Sequence, residues 1–293
     1  MGQRRSITGS RILITGASQG IGKALAEAAA ARGAKLLVCA RKVELLQELA
    51  QQIRAKGGII EVVQADITSP DDRRRMVEAA DKAFGGLDIL VNNAGIGATG
   101  HFADCSAERL RQIMEVNFFG LTETTRVFLP MLKKGNKPAI VNVSSIAGKR
   151  GIPARSEYSA SKFAVQGFSE ALRAELAKDD IDVLVVCPGL TQTNFSHNMI
   201  EQKALVQLDH MRGMTPEDVA AHTIKAIEKG YNETCLTLNG KLMVLVSRFL
   251  PWVADIVVKR KVCGLFKDEI EARKAKQATP VSGALTEKSV TEK

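Results

Sequence analysis

Short apolar runs recur at residues 11–15, 35–40, 59–64, 87–92, 138–144, 181–187 and 234–238, with longer stretches of helical periodicity between them. Most of the runs are continuous rather than alternating, as strands are when helices cover both faces of a parallel sheet. Residues 25–31 and 43–56 carry the helical repeat, and broad apolar faces mark helices over 108–134 and 158–178. Thr215-Pro216-Glu217-Asp218 reads as a helix cap, a first-turn proline and two acids at the positive helix end. Alternation of this kind predicts right-handed crossovers and an α/β doubly wound parallel sheet of about seven strands in a single domain.

Two regions break the rhythm. Residues 190–214 hold Phe195, Met199, Ile200, Leu205, Val206, Leu208 and Met211 in no strong pattern. Residues 242–258 are apolar but interrupted by Arg248, Pro251 and Asp255, which makes a poor membrane span. Leu242, Leu245, Val246 and Phe249, then Trp252, Val253, Ile256 and Val257, mark two short amphipathic helices broken at Pro251. Past residue 275 the chain turns polar and is expected to be disordered. The expected organisation is an N-terminal segment (1–9), a folded domain (10–240), an amphipathic helical extension (241–274) and a tail (275–293).

Composition narrows the function. The 293 residues include one Trp and two Tyr, too few aromatics for a nucleic-acid stacking surface. Net charge is +9, but residues 241–293 carry 11 Lys/Arg against 6 Asp/Glu, so much of the excess is C-terminal. That basic end reads either as a solvated tail or as one drawn to a membrane surface. Cys39, Cys105, Cys187, Cys235 and Cys263 are odd in number and lack a C-x-x-C pair, which fits a reducing compartment, the cytoplasm. His101, His197, His210 and His222 show no ligand spacing, so no metal is expected. Met1-Gly2-Gln3-Arg4-Arg5-Ser6 fits a loose myristoylation pattern, read here as coincidence.

The first apolar run ends in Thr15-Gly16-Ala17-Ser18-Gln19-Gly20-Ile21-Gly22 and opens into a helix. Three glycines there permit a tight turn and close backbone approach, so a helix N-terminus can face a pyrophosphate. After the second run, Arg41 and Lys42 stand where an NAD site places an acid. A guanidinium can bind a 2′-phosphate through charge-assisted bonds, which favours NADP(H) over NAD(H). Asp66, ahead of Ile67, can reach an adenine amine or cap the next helix. Ser145 lies past the fifth run, Tyr158 comes thirteen residues later, and Lys162 follows at i+4, on the same helix face as the phenol. A cation at about 4 Å supplies ~4 kcal/mol at an effective dielectric of 20, enough to lower a phenol by about three units.

With these pieces the chain resembles the short-chain dehydrogenases/reductases over about residues 10 to 240. The Thr15–Gly22 turn, Asn92-Asn93-Ala94-Gly95, Asn117, Ser145, Tyr158, Lys162 and Pro188-Gly189 followed by Thr193 carry the resemblance. It implies a Rossmann-like fold and hydride transfer between nicotinamide and a carbonyl or secondary alcohol. Tyr158 would be the proton donor or acceptor, Ser145 would polarise the substrate oxygen, and Lys162 would tune Tyr158 and hold the nicotinamide ribose. Asn117 would anchor a water leading to Lys162. Gly16, Ser18, Gln19, Gly20, Ile21 and Gly22 would hold the pyrophosphate; Arg41, Lys42, Asp66, Ile67, Asn93, Ala94 and Gly95 would line the adenosine side. Pro188, Gly189, Thr191 and Thr193 would border the nicotinamide. Gln19 departs from the basic residue that many NADP-preferring relatives carry, leaving the phosphate to Arg41 and its neighbourhood.

Substrate walls are expected from residues 97–102, 146–152 and 190–214, mostly apolar, which suits a hydrophobic, lipid- or steroid-like carbonyl compound. The alternatives are a 3-oxoacyl-thioester reductase and a nucleotide-binding scaffold without catalysis. In relatives of this kind helices 108–134 and 158–178 pair across a dimer axis, which implies a homo-oligomer. Residues 242–262 are expected to pack on a partner copy, cover the substrate mouth or lie on a membrane.

Overall fold

In the computed structural model, residues 2–195, 199–203, 213–267 and 270–271 are described. Seven strands form one parallel sheet: β1 (Arg11–Thr15), β2 (Lys35–Ala40), β3 (Ile59–Gln64), β4 (Ile89–Asn92), β5 (Ala139–Val143), β6 (Asp182–Cys187) and β7 (Glu233–Cys235), in the order β3-β2-β1-β4-β5-β6-β7. Every predicted strand is present, with ends shifted by up to three residues. The last is shortest, because Leu238 begins a helix instead.

The continuous apolar runs follow from burial on both faces. In β1, Ile12 and Ile14 pack with α1 (Gly20–Ala30), α2 (Val43–Ala55) and α7 (Pro216–Lys229), while Leu13 joins the opposite layer. That layer holds Phe128 and Leu132 of α5 (Leu121–Leu132), Met76 of α3 (Pro70–Phe84) and Leu172 of α6 (Ser156–Glu175). Neighbouring residues of each strand thus feed two different cores. Helix caps appear where the sequence placed one: Thr215 accepts from the Asp218 amide at 3.1 Å, ahead of Pro216. Ser69 does the same for α3 through Asp72, at 3.2 Å.

The predicted helix over 108–134 is not a single α-helix. It consists of α4 (Ala107–Met114), a π-helical stretch (Glu115–Gly120) and α5. Asn117 sits within the widened turn, a common place for a functional side chain. Phe119 and Phe163, on the faces expected to pair in a homo-oligomer, are exposed.

The N-terminal segment is tied to the sheet edge. The Gly2 amide donates to the Gly230 carbonyl at 2.7 Å, and Arg5 forms an ion pair with Asp182. The chain divides into two units, Met1–Leu245 and Val246–Lys293. Two helices follow the last strand, α8 (Leu238–Phe249) and α9 (Pro251–Leu265), and Pro251 lies in the first turn of the second. Among the described residues no helix is long and apolar enough to cross a membrane. All five cysteines are free thiols.

Candidate active site

The strand order reverses between β1 and β4, and the ends of the strands there open into a cleft, as doubly wound sheets do. A cavity of about 840 Å³ runs along this edge. It is lined by the glycine turn, by Arg41 and Lys42 beyond β2, by Asp66 and Ile67 beyond β3, and by Asn93, Ala94 and Gly95 beyond β4. Ser145, Tyr158 and Lys162 line it too, with Pro188, Gly189, Thr191 and Thr193.

The glycine turn is built for close approach. Gly16 and Gly20 have φ of +66° and +56°, and a Cβ on Gly16 would lie 2.7 Å from Ala94 Cα. Gly22 is buried behind the turn and does not line the cavity; a side chain there would run into the Gly16 carbonyl oxygen. Asn93 fixes the turn from β4, since its Nδ2 donates to the carbonyls of Thr15 (2.9 Å) and Gly16 (3.1 Å). Its amide holds the cradle while the residue still lines the cavity. Asp66 does not cap α3, whose cap is Ser69; its Oδ1 accepts from Thr68 N (2.9 Å) and Oγ1 (2.7 Å), closing the turn ahead of the helix, while the residue still lines the cavity.

These features fit a nicotinamide dinucleotide. Gly20 and Ile21, which open α1, line the cavity with no side-chain cap from Gln19, so the helix N-terminus is left to a ligand there. Arg41 and Lys42 are exposed.

At the other end of the cavity, β5 ends in two serines with different tasks. Ser144 Oγ is buried and donates to the Lys162 carbonyl at 3.2 Å, a structural bond. Ser145 Oγ accepts from the Ala147 amide at 3.1 Å and shares a hydrogen bond with the Tyr158 phenol. Lys162 is buried; its Nζ donates to the Val143 carbonyl at 3.0 Å and lies 5.7 Å from the Tyr158 ring centroid. The ring of Phe195 packs against Tyr158 with centroids 5.8 Å apart.

The electrostatics differ from the sequence expectation. Burial holds the Tyr158 phenol above its ordinary range, opposed by the Ser145 hydrogen bond and the charge of Arg155. Burial also lowers Lys162 to about 8. The ammonium is bonded to a backbone carbonyl rather than to the phenolic oxygen, so desolvation outweighs the lowering expected from a cation at 4 Å.

Asn117 does not line the cavity. Its Oδ1 accepts from the Ile96 amide (2.8 Å), and its Nδ2 donates to the Ile96 carbonyl (2.9 Å) and Ser161 Oγ (3.0 Å). It therefore pins the backbone after β4 to α6 and meets Lys162 at Gly95, where a Cβ would lie 3.6 Å from Nζ. The expected substrate walls appear in part. Ile146, Ala147, Ile152, Leu190, Phe195 and Met214 line the cavity, whereas Phe102 is exposed, and residues 196–198 and 204–212 lie outside the described residues. Sequence reading missed Arg155, Asn239 and Met243, which also line it. Arg155 was detectable as a cation in the Gly-Pro-containing turn just ahead of Tyr158.

Comparison with known proteins bears directly on this geometry. The model of the short chain dehydrogenase family matches residues 10–204. The mouse protein named dehydrogenase/reductase SDR family member 7B is 33% identical over 274 residues, which cover 91% of this chain and 81% of that one. A solved short chain dehydrogenase/reductase from Burkholderia phymatum, in complex with NAD, superposes with a TM-score of 0.78 at 27% identity, covering 83% of this chain and 94% of that one. A short chain dehydrogenase from Burkholderia cenocepacia in complex with NADP gives 0.74 at 28%, covering 87% and 99%. The chain belongs to the short-chain dehydrogenase/reductase family. It is an enzyme of that NAD(P)-dependent oxidoreductase class.

Proposed function

We propose that the protein is an NADPH-dependent reductase of carbonyl compounds with an apolar body. The observation that carries this reading is the convergence of Ser145, Tyr158 and Lys162 on the cavity that also holds the glycine turn and Arg41. When bound, the nicotinamide supplies the hydride. Gly16 to Ile21 hold the pyrophosphate, Arg41 and Lys42 the 2′-phosphate, and Pro188 to Thr193 the carboxamide side. Ser145 donates to the substrate oxygen and places it beside the phenol. Tyr158 gives its proton to that oxygen as negative charge develops there. Lys162 holds ribose hydroxyls and replaces the proton on Tyr158, while Asn117 keeps Gly95 and Ile96 in register with α6. Assays across steroid, retinoid, acyl and short polyol carbonyls test the substrate class, and preference for the polyols would sink it.

The raised phenol and lowered amine set the pH dependence. At neutral pH Tyr158 keeps its proton and Lys162 its charge, so reduction is expected to be flat below pH 8 and to fall above it as Lys162 deprotonates. Alcohol oxidation needs the phenolate and is expected to rise into the alkaline range. Reduction that climbs through pH 8 in a kcat/KM profile would contradict this assignment.

The extension supports a second element of the reading, contact with an anionic lipid surface through residues 242–262. In α9, Trp252, Ile256 and Val257 are exposed beside Lys259, Arg260 and Lys261. Co-sedimentation with phosphatidylserine vesicles is expected for the full chain and to weaken in Trp252→Glu; equal recovery with and without anionic lipid argues against it.

A further inference from the structure

Among the described residues, one cation lines the cavity that neither the proposed chemistry nor the cofactor uses. Arg155 stands at the entry to α6, three residues before Tyr158, and lines the same cavity as Ser145 and Tyr158. The backbone that presents it is bent and pinned. Ala154 has φ +59°, a left-handed conformation that costs a residue with a Cβ. The Ala154 carbonyl accepts from the Gly100 amide at 2.9 Å, and the Arg155 amide donates to the Ile152 carbonyl at 3.1 Å. Strain kept beside a reactive group suggests that the direction of the Arg155 side chain matters.

Arg155 is half-buried, whereas the buried arginines of the fold are matched by acids or carbonyls. Arg109 binds Glu157 through two nitrogens and also pairs with Glu201; Arg5 pairs with Asp182; Arg73 donates to the Ile67 carbonyl at 2.6 Å. Arg155 has no carboxylate partner among the described residues. Burial lowers its pKa, and what opposes that shift is Tyr158, through the negative charge it carries when ionised. A desolvated cation without a counter-charge is unfavourable, and an incoming anion relieves it.

Position separates this cation from the cofactor phosphates. Arg41 and Lys42 follow β2, and three strand spacings, roughly 14 Å of sheet, separate β2 from β5, the strand that leads to Arg155. The walls on the Tyr158 side are apolar: Ile96, Ile146, Ile152, Leu190, Phe195 and Met214. Lys162, the other cation on that side, is bonded to Val143. A planar guanidinium suits the bidentate geometry of a carboxylate.

We propose that Arg155 binds a carboxylate of the substrate, so that the molecule reduced is an oxo acid: an apolar chain carrying a ketone within reach of Tyr158 and a negative charge at Arg155. The inference rests on the reductase reading above and narrows it.

The test compares oxo-fatty acids of graded ketone position with their methyl esters, under NADPH, in the wild type, Arg155→Gln and Arg155→Lys. The wild type is expected to favour one acid over its ester by roughly tenfold or more in kcat/KM. Arg155→Gln is expected to cut the acid-to-ester ratio of kcat/KM by a similar factor, chiefly through KM for the acid, and Arg155→Lys to keep part of the preference. Equal rates for acid and ester in the wild type overturn the proposal. So does an equal slowing of both in Arg155→Gln, which would make Arg155 only a charge acting on Tyr158. In either case ester turnover leaves the reductase reading standing. If neither acids nor esters oxidise NADPH, although enhanced nucleotide fluorescence shows that NADPH binds, the reductase reading falls and this proposal with it.

Discussion

Tyr158→Phe is expected to lower kcat/KM for ketone reduction by roughly a thousandfold, the span associated with losing a positioned general acid. The substitution removes the one hydroxyl that meets both Ser145 and the cavity, and it keeps the ring that packs against Phe195. Folding is therefore expected to be preserved, and NADPH affinity to stay nearly unchanged, because the glycine turn and Arg41 are untouched. Steady-state kinetics with a parallel nucleotide titration separate the two quantities. A loss of activity matched by a loss of nucleotide binding would place Tyr158 in the architecture instead. Retention of activity would move the proton donor elsewhere, with Ser145 the nearest hydroxyl.

The second large effect concerns the choice of cofactor. Arg41 lines the cavity beyond β2 and is exposed, and its carbonyl is held by the Gln64 side chain at 3.0 Å, which fixes the chain direction there. Charge-assisted bonds from Arg41 to a 2′-phosphate contribute about 1.5–3 kcal/mol. Arg41→Ala is therefore expected to weaken NADPH by roughly tenfold to a hundredfold and to leave NADH alone. Arg41→Asp is expected to invert the preference, since a carboxylate repels the phosphate and can hold the ribose hydroxyls. Dissociation constants measured for both nucleotides at two salt concentrations check this, and the NADPH advantage should shrink as salt rises. Equal affinities of the wild type for NADH and NADPH would remove the NADPH assignment and leave the catalytic one intact.

The fold was legible in the sequence because burial on both faces makes parallel strands read as apolar runs and helices as 3.6-residue repeats. Gly16, Gly20 and Gly22 announced the turn, and the spacing from Tyr158 to Lys162 announced a shared helix face. What stayed hidden was set by packing. The π-helical stretch around Asn117 is a change in backbone hydrogen bonding within one broad apolar face, so periodicity could not reveal it. Asn117 and Asn93 turned out to hold backbone, because their donors and acceptors found carbonyls and amides that only the folded chain brings near. The balance at Tyr158 depends on desolvation, which spacing along a helix does not encode. Arg155 is an ordinary loop arginine in the sequence. Its meaning comes from facing the same cavity as the phenol without a carboxylate beside it among the described residues.

Following an isotope from NADPH to product tests the central claim most directly. NADPH deuterated at C4 of the nicotinamide, prepared separately in each of its two stereochemical forms, is incubated with the enzyme and an apolar ketone, and the alcohol is analysed by mass spectrometry. Deuterium is expected on the carbinol carbon from one of the two forms, and its incorporation should disappear in Tyr158→Phe. An alcohol free of deuterium from both forms, or no alcohol at all in the presence of bound NADPH, would contradict direct hydride transfer at this site.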